Sequence, residues 1–228
     1  MPLQNRVTPM GDIVAVPERG CFTGNRGIIH DPQTRTLLKR RWASRAWLIC
    51  TLHWRGVRRS VMGTRSWTEL FFLDEATALA AGHRPCFFCR RMAARVFQRN
   101  FPAHGGAALP KADDIDTTLH AERLDGRRKR LHVLPSPAAG LPDGTMILQD
   151  GVPHLVLVGL ARPWSLLGYG AAAVPLDSAQ LITPPSTVAV LRAGYPPQMD
   201  ASVFGERNAT AVQVDHLRGN YRIGRIWR

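Results

Sequence analysis

The apolar positions change period along the chain, and those changes mark out its elements. Residues 7–20 alternate weakly through Ile13, Val14 and Val16 between Pro9 and Pro17, which predicts a short edge strand. Cys21 to Gly27 sets Gly24 and Gly27 around Asn25-Arg26 and reads as a tight loop, because glycine reaches positive φ at no steric cost. Ala46 to Trp54 is rich in Trp, Leu, Ile and Thr and suits a strand. Arg55-Gly56-Val57-Arg58 reads as a turn into a second strand ending near Met62, and Trp67 to Leu73 as a third.

Helical spacing then takes over. Asp74 is placed to cap a short helix over Glu75 to Ala81, closed by Gly82. Phe87, Met92 with Ala93, Val96 with Phe97, and Phe101 recur on one face of a helix running from Cys86 or Phe87 to Phe101. A third helix is predicted over Ala112 to Leu124. Past a Pro-rich stretch, Thr145 to Leu148 and His154 to Gly159 flank Asp150-Gly151, the signature of a β-hairpin. Pro185 to Ala193, closed by Gly194, predicts a short helix with a Ser or Thr cap.

These elements describe an α+β protein. We expect a small zinc-stabilised N-terminal lobe over residues 1–134, a linker over 135–143, and a C-terminal subdomain over 144–228 that contains the hairpin. Its 228 residues suffice for one ample core or two small ones. No apolar run approaches a membrane span, and no secretory leader is visible, so a cytoplasmic protein without membrane association is expected. In that setting the four cysteines are expected to be reduced thiols.

Charge sharpens the picture. The net charge is +13, and residues 1–134 carry 23 Lys+Arg against 11 Asp+Glu while residues 135–228 carry 7 against 6. A positive excess confined to one portion points to a phosphate backbone, with DNA the expected partner. Trp42, Trp47, Trp54 and Trp67 are interleaved with arginines there, a pattern that can stack bases and pair phosphates. The contact candidates are Asn25, Arg26, Arg58, Arg59, Arg84, Arg90, Arg91, Arg128 and Lys129.

Cys86-Phe87-Phe88-Cys89 carries the chemistry. Two thiols three residues apart can grip one Zn²⁺ from a turn leading into a helix, with Arg84, Arg90 and Arg91 favouring the thiolates. Further ligands are sought among Cys21, His30, Cys50, His53 and His83, with His30 and Cys21 ahead of His83, whereas Cys50, in an apolar strand, reads better as a small core residue. The stretch from Phe72 through Glu75-Ala76, Leu79-Ala80-Ala81-Gly82 and Arg84-Pro85-Cys86 to Cys89 resembles the zinc module of the bacterial Ada alkylation-damage repair protein and its relatives. The likeness covers about residues 71–90. It implies that Cys86 and Cys89 ligate zinc, that Arg84 lies near metal or phosphate, and that the protein serves DNA repair through backbone contacts. The family's upstream cysteine pair has no match, since residue 59 is Arg and no cysteine lies between Cys50 and Cys86, so methyl transfer to a zinc thiolate is not implied.

Two other functions are compatible with the residues. Asp116 and His120 stand four apart on the third predicted helix and could act as an acid/base pair. With Glu69 they are the catalytic candidates of a DNA-processing enzyme, a nuclease or a glycosylase. A zinc-stabilised protein-interaction adaptor is the remaining alternative.

Overall fold

The chain is described here from a computed structural model. It covers residues 1–56, 60–102 and 108–205, and the backbone of 212–215 and 220–223. The fold is mixed α+β. Its first part builds β1 (Gln4–Val7), β2 (Ile13–Ala15), β3 (Phe22–Asn25), β4 (His30–Asp31), β5 (Thr36–Leu37), β6 (Leu48–Thr51), β7 (Leu70–Phe72), helix α1 (Glu75–Ala80) and β8 (Arg84–Pro85). Six of these strands form one sheet in the order β2-β1-β7-β3-β6-β8, with the expected edge strand at β2.

The centre of that sheet corrects one expectation. Cys21 to Gly27 is not a loop: Phe22 to Asn25 is a strand hydrogen-bonded on both sides, pairing Gly24 with Ile49 and with Leu70. Gly24 is there for space. A Cβ on it would stand 2.0 Å from the Leu48 carbonyl oxygen and 2.9 Å from the Phe72 ring. Gly24→Ala is therefore expected to cost about 1–3 kcal/mol through overpacking, read as a lower melting temperature at unchanged secondary structure. An equal or higher melting temperature would contradict this placement. No strand ends near Met62 among the described residues, and residues 57–59 lie outside them.

Register gives the sheet two different faces. Phe22, Ile49, Leu70 and Phe72 point into the main hydrophobic cluster, together with Ala78, Leu79, Phe97, Ile115 and Leu119. The other set, Thr23, Asn25, Leu48, Cys50, Glu69 and Phe71, lines a cavity. Strand alternation alone accounts for this sorting.

Helices close the buried side. α2 (Arg91–Asn100) and α3 (Ala112–Arg123) follow, then the two-stranded ribbon β9 (Leu124–Asp125) and β10 (Arg128–Lys129). The expected hairpin is present as β11 (Met146–Gln149) and β12 (Val152–Leu157), with Asp150 and Gly151 both at positive φ, 51° and 74°. It belongs to a five-stranded sheet completed by β13 (Leu160–Ser165), β14 (Gly168–Tyr169) and β15 (Gln180–Leu181). α4 (Pro185–Arg192) ends before Gly194 at φ 93°. Its N-cap is Pro184 rather than Ser or Thr, and the Glu122 carboxylate of α3 accepts from Ser186 N at 3.0 Å instead. A last small sheet holds β16 (Gln198–Met199), β17 (Val212–Asp215) and β18 (Asn220–Ile223). In the Pro-rich stretch before the hairpin, Ala138 and Leu141 are buried in a cluster with Val156 and Leu181.

The helix α1 joins the two ends of the chain. All six of its residues are buried, Ala78 and Leu79 against the first sheet and Ala76 and Ala80 against Met146, Leu155 and Met199. Asp74 caps it as expected, accepting from Thr77 N at 2.8 Å, and also takes Tyr169 Oη at 2.8 Å. Glu75 accepts from Arg90 twice, at 2.7 and 2.9 Å, from Tyr195 Oη at 2.5 Å and from Gln198 N at 3.0 Å. A helix this short is not stable alone, so its two acids hold the site-bearing sheet to the C-terminal elements.

Candidate metal centre

Cys50, Cys86 and Cys89 come together with their sulfurs all within 4.8 Å of one another. Two strands bring them there. β6 and β8 run parallel with Ile49 opposite Pro85, and Cys86 N donates to the Ile49 carbonyl at 2.9 Å, so Cys50 and Cys86 are the next neighbours in that register. The chain then turns through Phe87-Phe88, with Arg90 N donating to the Cys86 carbonyl at 2.9 Å, and returns Cys89 to the same spot. All three are free thiols, two buried and Cys89 half-buried.

The donor set fits a soft divalent ion. Sulfurs bound to one tetrahedral zinc at about 2.3 Å stand about 3.8 Å apart, a spacing that this cluster reaches with little movement. Hydrogen bonds from the Cys50 and Cys89 thiols, with Phe88 N at 3.4 Å, hold the Cys86 thiol well below its ordinary range. Cys50 is pushed up, chiefly because its proton serves Cys86. A metal bound here would replace the protons that the three sulfurs hold.

Three protein ligands leave a tetrahedral ion one open position. Beside the sulfurs lies a cavity of about 480 Å³ walled by Trp54, Trp67, Phe88 and Phe71, with Asn25 and Glu69 as polar groups. Glu69 is buried; its Oε2 accepts from Met62 N at 2.8 Å, and its Oε1 has no hydrogen-bond partner among the described residues. Phe88 stands at the rim, 73% exposed and 5.4 Å from the Trp54 ring. Asn25 accepts from Gly27 N at 3.2 Å, which orders the strand end.

The other expected metal ligands are engaged elsewhere. His30 Nε2 donates to the Thr64 carbonyl at 3.0 Å, which makes Nδ1 the acceptor of the Thr68 hydroxyl at 2.7 Å; this buried ring fixes the segment leading to Glu69. His83 is buried between Phe72 and Trp47 and accepts from Arg26 Nε at 3.2 Å. Burial, with Arg26 and Arg123 close by, pulls its pKa well below the usual value and keeps the ring neutral. Cys21 Sγ lies 4.0 Å from Asp200 Oδ2. The third member of the cluster is Cys50, a candidate that sequence reasoning set aside as core. Its only signal was alternation with Leu48, and the strand it pairs with is not local.

The proposed acid/base pair is also corrected. Asp116 and His120 do share a face of α3, but both Asp116 oxygens are taken by Arg84, at 2.8 and 2.7 Å, in a buried ion pair. His120 Nδ1 faces Arg123 Nη2 at 2.8 Å. Asp116 is thus held in a structural ion pair.

That pair also removes Arg84 from the candidate phosphate contacts, and Glu75 removes Arg90 in the same way. Arg91 is exposed at the start of α2 and Arg128 on the ribbon, while Arg26 is buried and Lys129 half-buried. Arg58 and Arg59 lie outside the described residues. Among the interleaved tryptophans, Trp47 is buried, with the Arg26 and Arg123 guanidiniums each 3.9 Å from its ring. Trp42, Trp54 and Trp67 are half-buried and line cavities. No helix among the described residues is long and apolar enough to cross a membrane. No known family model, curated protein or solved structure matches this chain.

Proposed function

We propose that this chain is a zinc-dependent nucleic-acid-binding protein whose metal centre lies beside a pocket for an unstacked base. The observation that carries the reading is the convergence of three sulfurs beside an aromatic-walled cavity, within the strongly basic portion of the chain. Thiolates select zinc, copper(I) or iron–sulfur clusters. Clusters are held by four cysteines, and zinc suits three sulfurs and a fourth, lighter ligand. The cavity falls in the range of about 300–1,000 Å³ typical of small-ligand sites, and Trp54, Trp67 and Phe88 offer the faces on which bases stack. The Ada-like stretch, which contains Cys86 and Cys89, supports a role in DNA repair.

Bound there, zinc would tie β6 to the Cys86–Cys89 turn and supply a Lewis acid with one free coordination position. The test is fluorescence anisotropy with single-stranded and duplex oligonucleotides across a salt series, on metal-loaded and metal-stripped protein. About six phosphate contacts should lower affinity roughly 10³-fold between 50 and 200 mM salt, and stripping should weaken binding further. Affinity indifferent to both salt and metal would overturn the reading.

A DNA-processing enzyme, a glycosylase above all, is the second reading, and Glu69 favours it. A buried carboxylate with a free oxygen in the same cavity is equipped to move a proton. Release of a base from damaged oligonucleotides should fall at least roughly 100-fold in Glu69→Gln while metal content stays the same. Undiminished release by that variant would remove Glu69 from catalysis.

A further inference from the structure

A second cavity, of about 560 Å³, opens away from the cysteines, none of which lines it. It lies between the β1–β2 turn, the end of β3, the last residue of α3 and the β9–β10 ribbon. Six cations line it, Arg26, Arg41, Arg123, Arg127, Arg128 and Lys129, against one acid, Asp12. Two of the six are fully buried: Arg26 and Arg123 are each 1% exposed.

Their hydrogen bonds place them without neutralising them. Arg26 Nη1 donates to the Gly11 carbonyl at 2.9 Å, and Arg123 donates to the carbonyls of Gly82 at 2.9 Å and Arg45 at 2.7 Å. Lys129 Nζ donates to the Ala80 carbonyl. Every one of these acceptors is an uncharged carbonyl. Arg26 Nη2 and Arg123 Nε are buried donors with no partner among the described residues. Asp116 is committed to Arg84 and Glu122 to Ser186, which leaves Asp12 as the acid in the cavity wall. The fold makes room for this arrangement: Gly82, at φ 87°, abuts the Arg123 stem, where a Cβ would stand 2.6 Å from it. Gly11, at φ 85°, leaves open the space next to Arg26 Nη2.

Buried cations without a paired acid are costly, so a protein that keeps two of them together beside the half-buried Lys129 has a use for them. We propose that this cavity binds a phosphate monoester. At neutral pH such a group approaches two negative charges and offers three acceptor oxygens, which suits forked guanidinium donors converging with an ammonium. Trp42, half-buried in the wall, offers a ring to a base attached to that phosphate. Burial, which nearby acids only partly offset, pulls Arg26 and Arg123 down to about 9 and Lys129 to about 7, and the cations' mutual repulsion adds to it for Arg123 and Lys129. The inference is independent of the metal centre. The ester could be a free nucleotide or the phosphorylated end of a strand.

The test uses the full chain at fixed ionic strength, with potassium chloride as the reference salt. Inorganic phosphate and adenosine 5′-monophosphate should each raise the melting temperature saturably, by about 5 °C at a hundredfold excess over the dissociation constant, and adenosine should not. Lys129→Met, which removes a poorly compensated cation, should melt higher than the parent without ligand and lose at least tenfold in phosphate affinity. Tighter binding of a 5′-phosphorylated oligonucleotide than of the monophosphate would assign the site to strand ends. The reverse order would assign it to free nucleotides, and either result upholds the proposal. Phosphate shifts no larger than those of chloride, or full phosphate affinity in Lys129→Met, would overturn it.

Discussion

On the proposed zinc assignment, Cys50→Ala is expected to yield protein without metal that melts at least about 10 °C lower. A structural zinc site contributes on the order of 10 kcal/mol to folding, and in a chain of this size each kcal/mol moves the melting point by about 2–4 °C. Two remaining thiols could not hold the ion tightly. Cys21→Ala is the matched control. It removes a half-buried thiol that stands apart from the three-cysteine group, so metal content should be unchanged. Elemental analysis of both variants beside the parent reads the outcome. Metal retained by Cys50→Ala, or lost by Cys21→Ala, would mean that the ligand set is wrong.

Glu75→Ala is expected to be the most damaging single change outside the metal centre. The Glu75 carboxylate takes four donors, two from Arg90 and one each from Tyr195 and Gln198, and its side chain is wholly buried. Burial works against the Arg90 charge, but this pairing outweighs it and holds the guanidinium pKa above its ordinary value. Removing the acid strands a buried cation, at a cost of about 3–5 kcal/mol, or about 10 °C in melting temperature. Because Arg90 directly follows Cys89, the variant should also release metal faster to a chelator. A double Glu75→Met, Arg90→Met variant should recover most of the stability, since apolar replacement of a buried pair is often neutral. If the double variant were as unstable as the single one, the ion pair would not be what holds this junction.

What could be read from the sequence was local. Asp74 and Gly82 bracket α1, Asp150-Gly151 sits in its hairpin turn, and Gly194 closes α4, because caps and turns are set by neighbouring residues. The larger failures lie where a partner is distant in the chain. Cys21 to Gly27 looks like a loop until the Phe72 ring and the Leu48 carbonyl are known to press on Gly24. Cys50 looks like core until β6 is paired with β8. The same holds for charge. Counting arginines located the excess charge but not its environment: Arg84 and Arg90 prove to be buried partners of Asp116 and Glu75, while six other cations line a separate cavity. Asp116 and His120 do share one helical face, and their neighbours there, Arg84 and Arg123, could not be read from that spacing.

The most direct test of the metal centre is X-ray absorption at the zinc edge of protein purified without added metal. One zinc per chain with three sulfur neighbours at about 2.3 Å and one lighter atom at about 2.0 Å is the predicted spectrum. A shell of four sulfurs, a shell without sulfur, or a folded and active protein free of metal would contradict it.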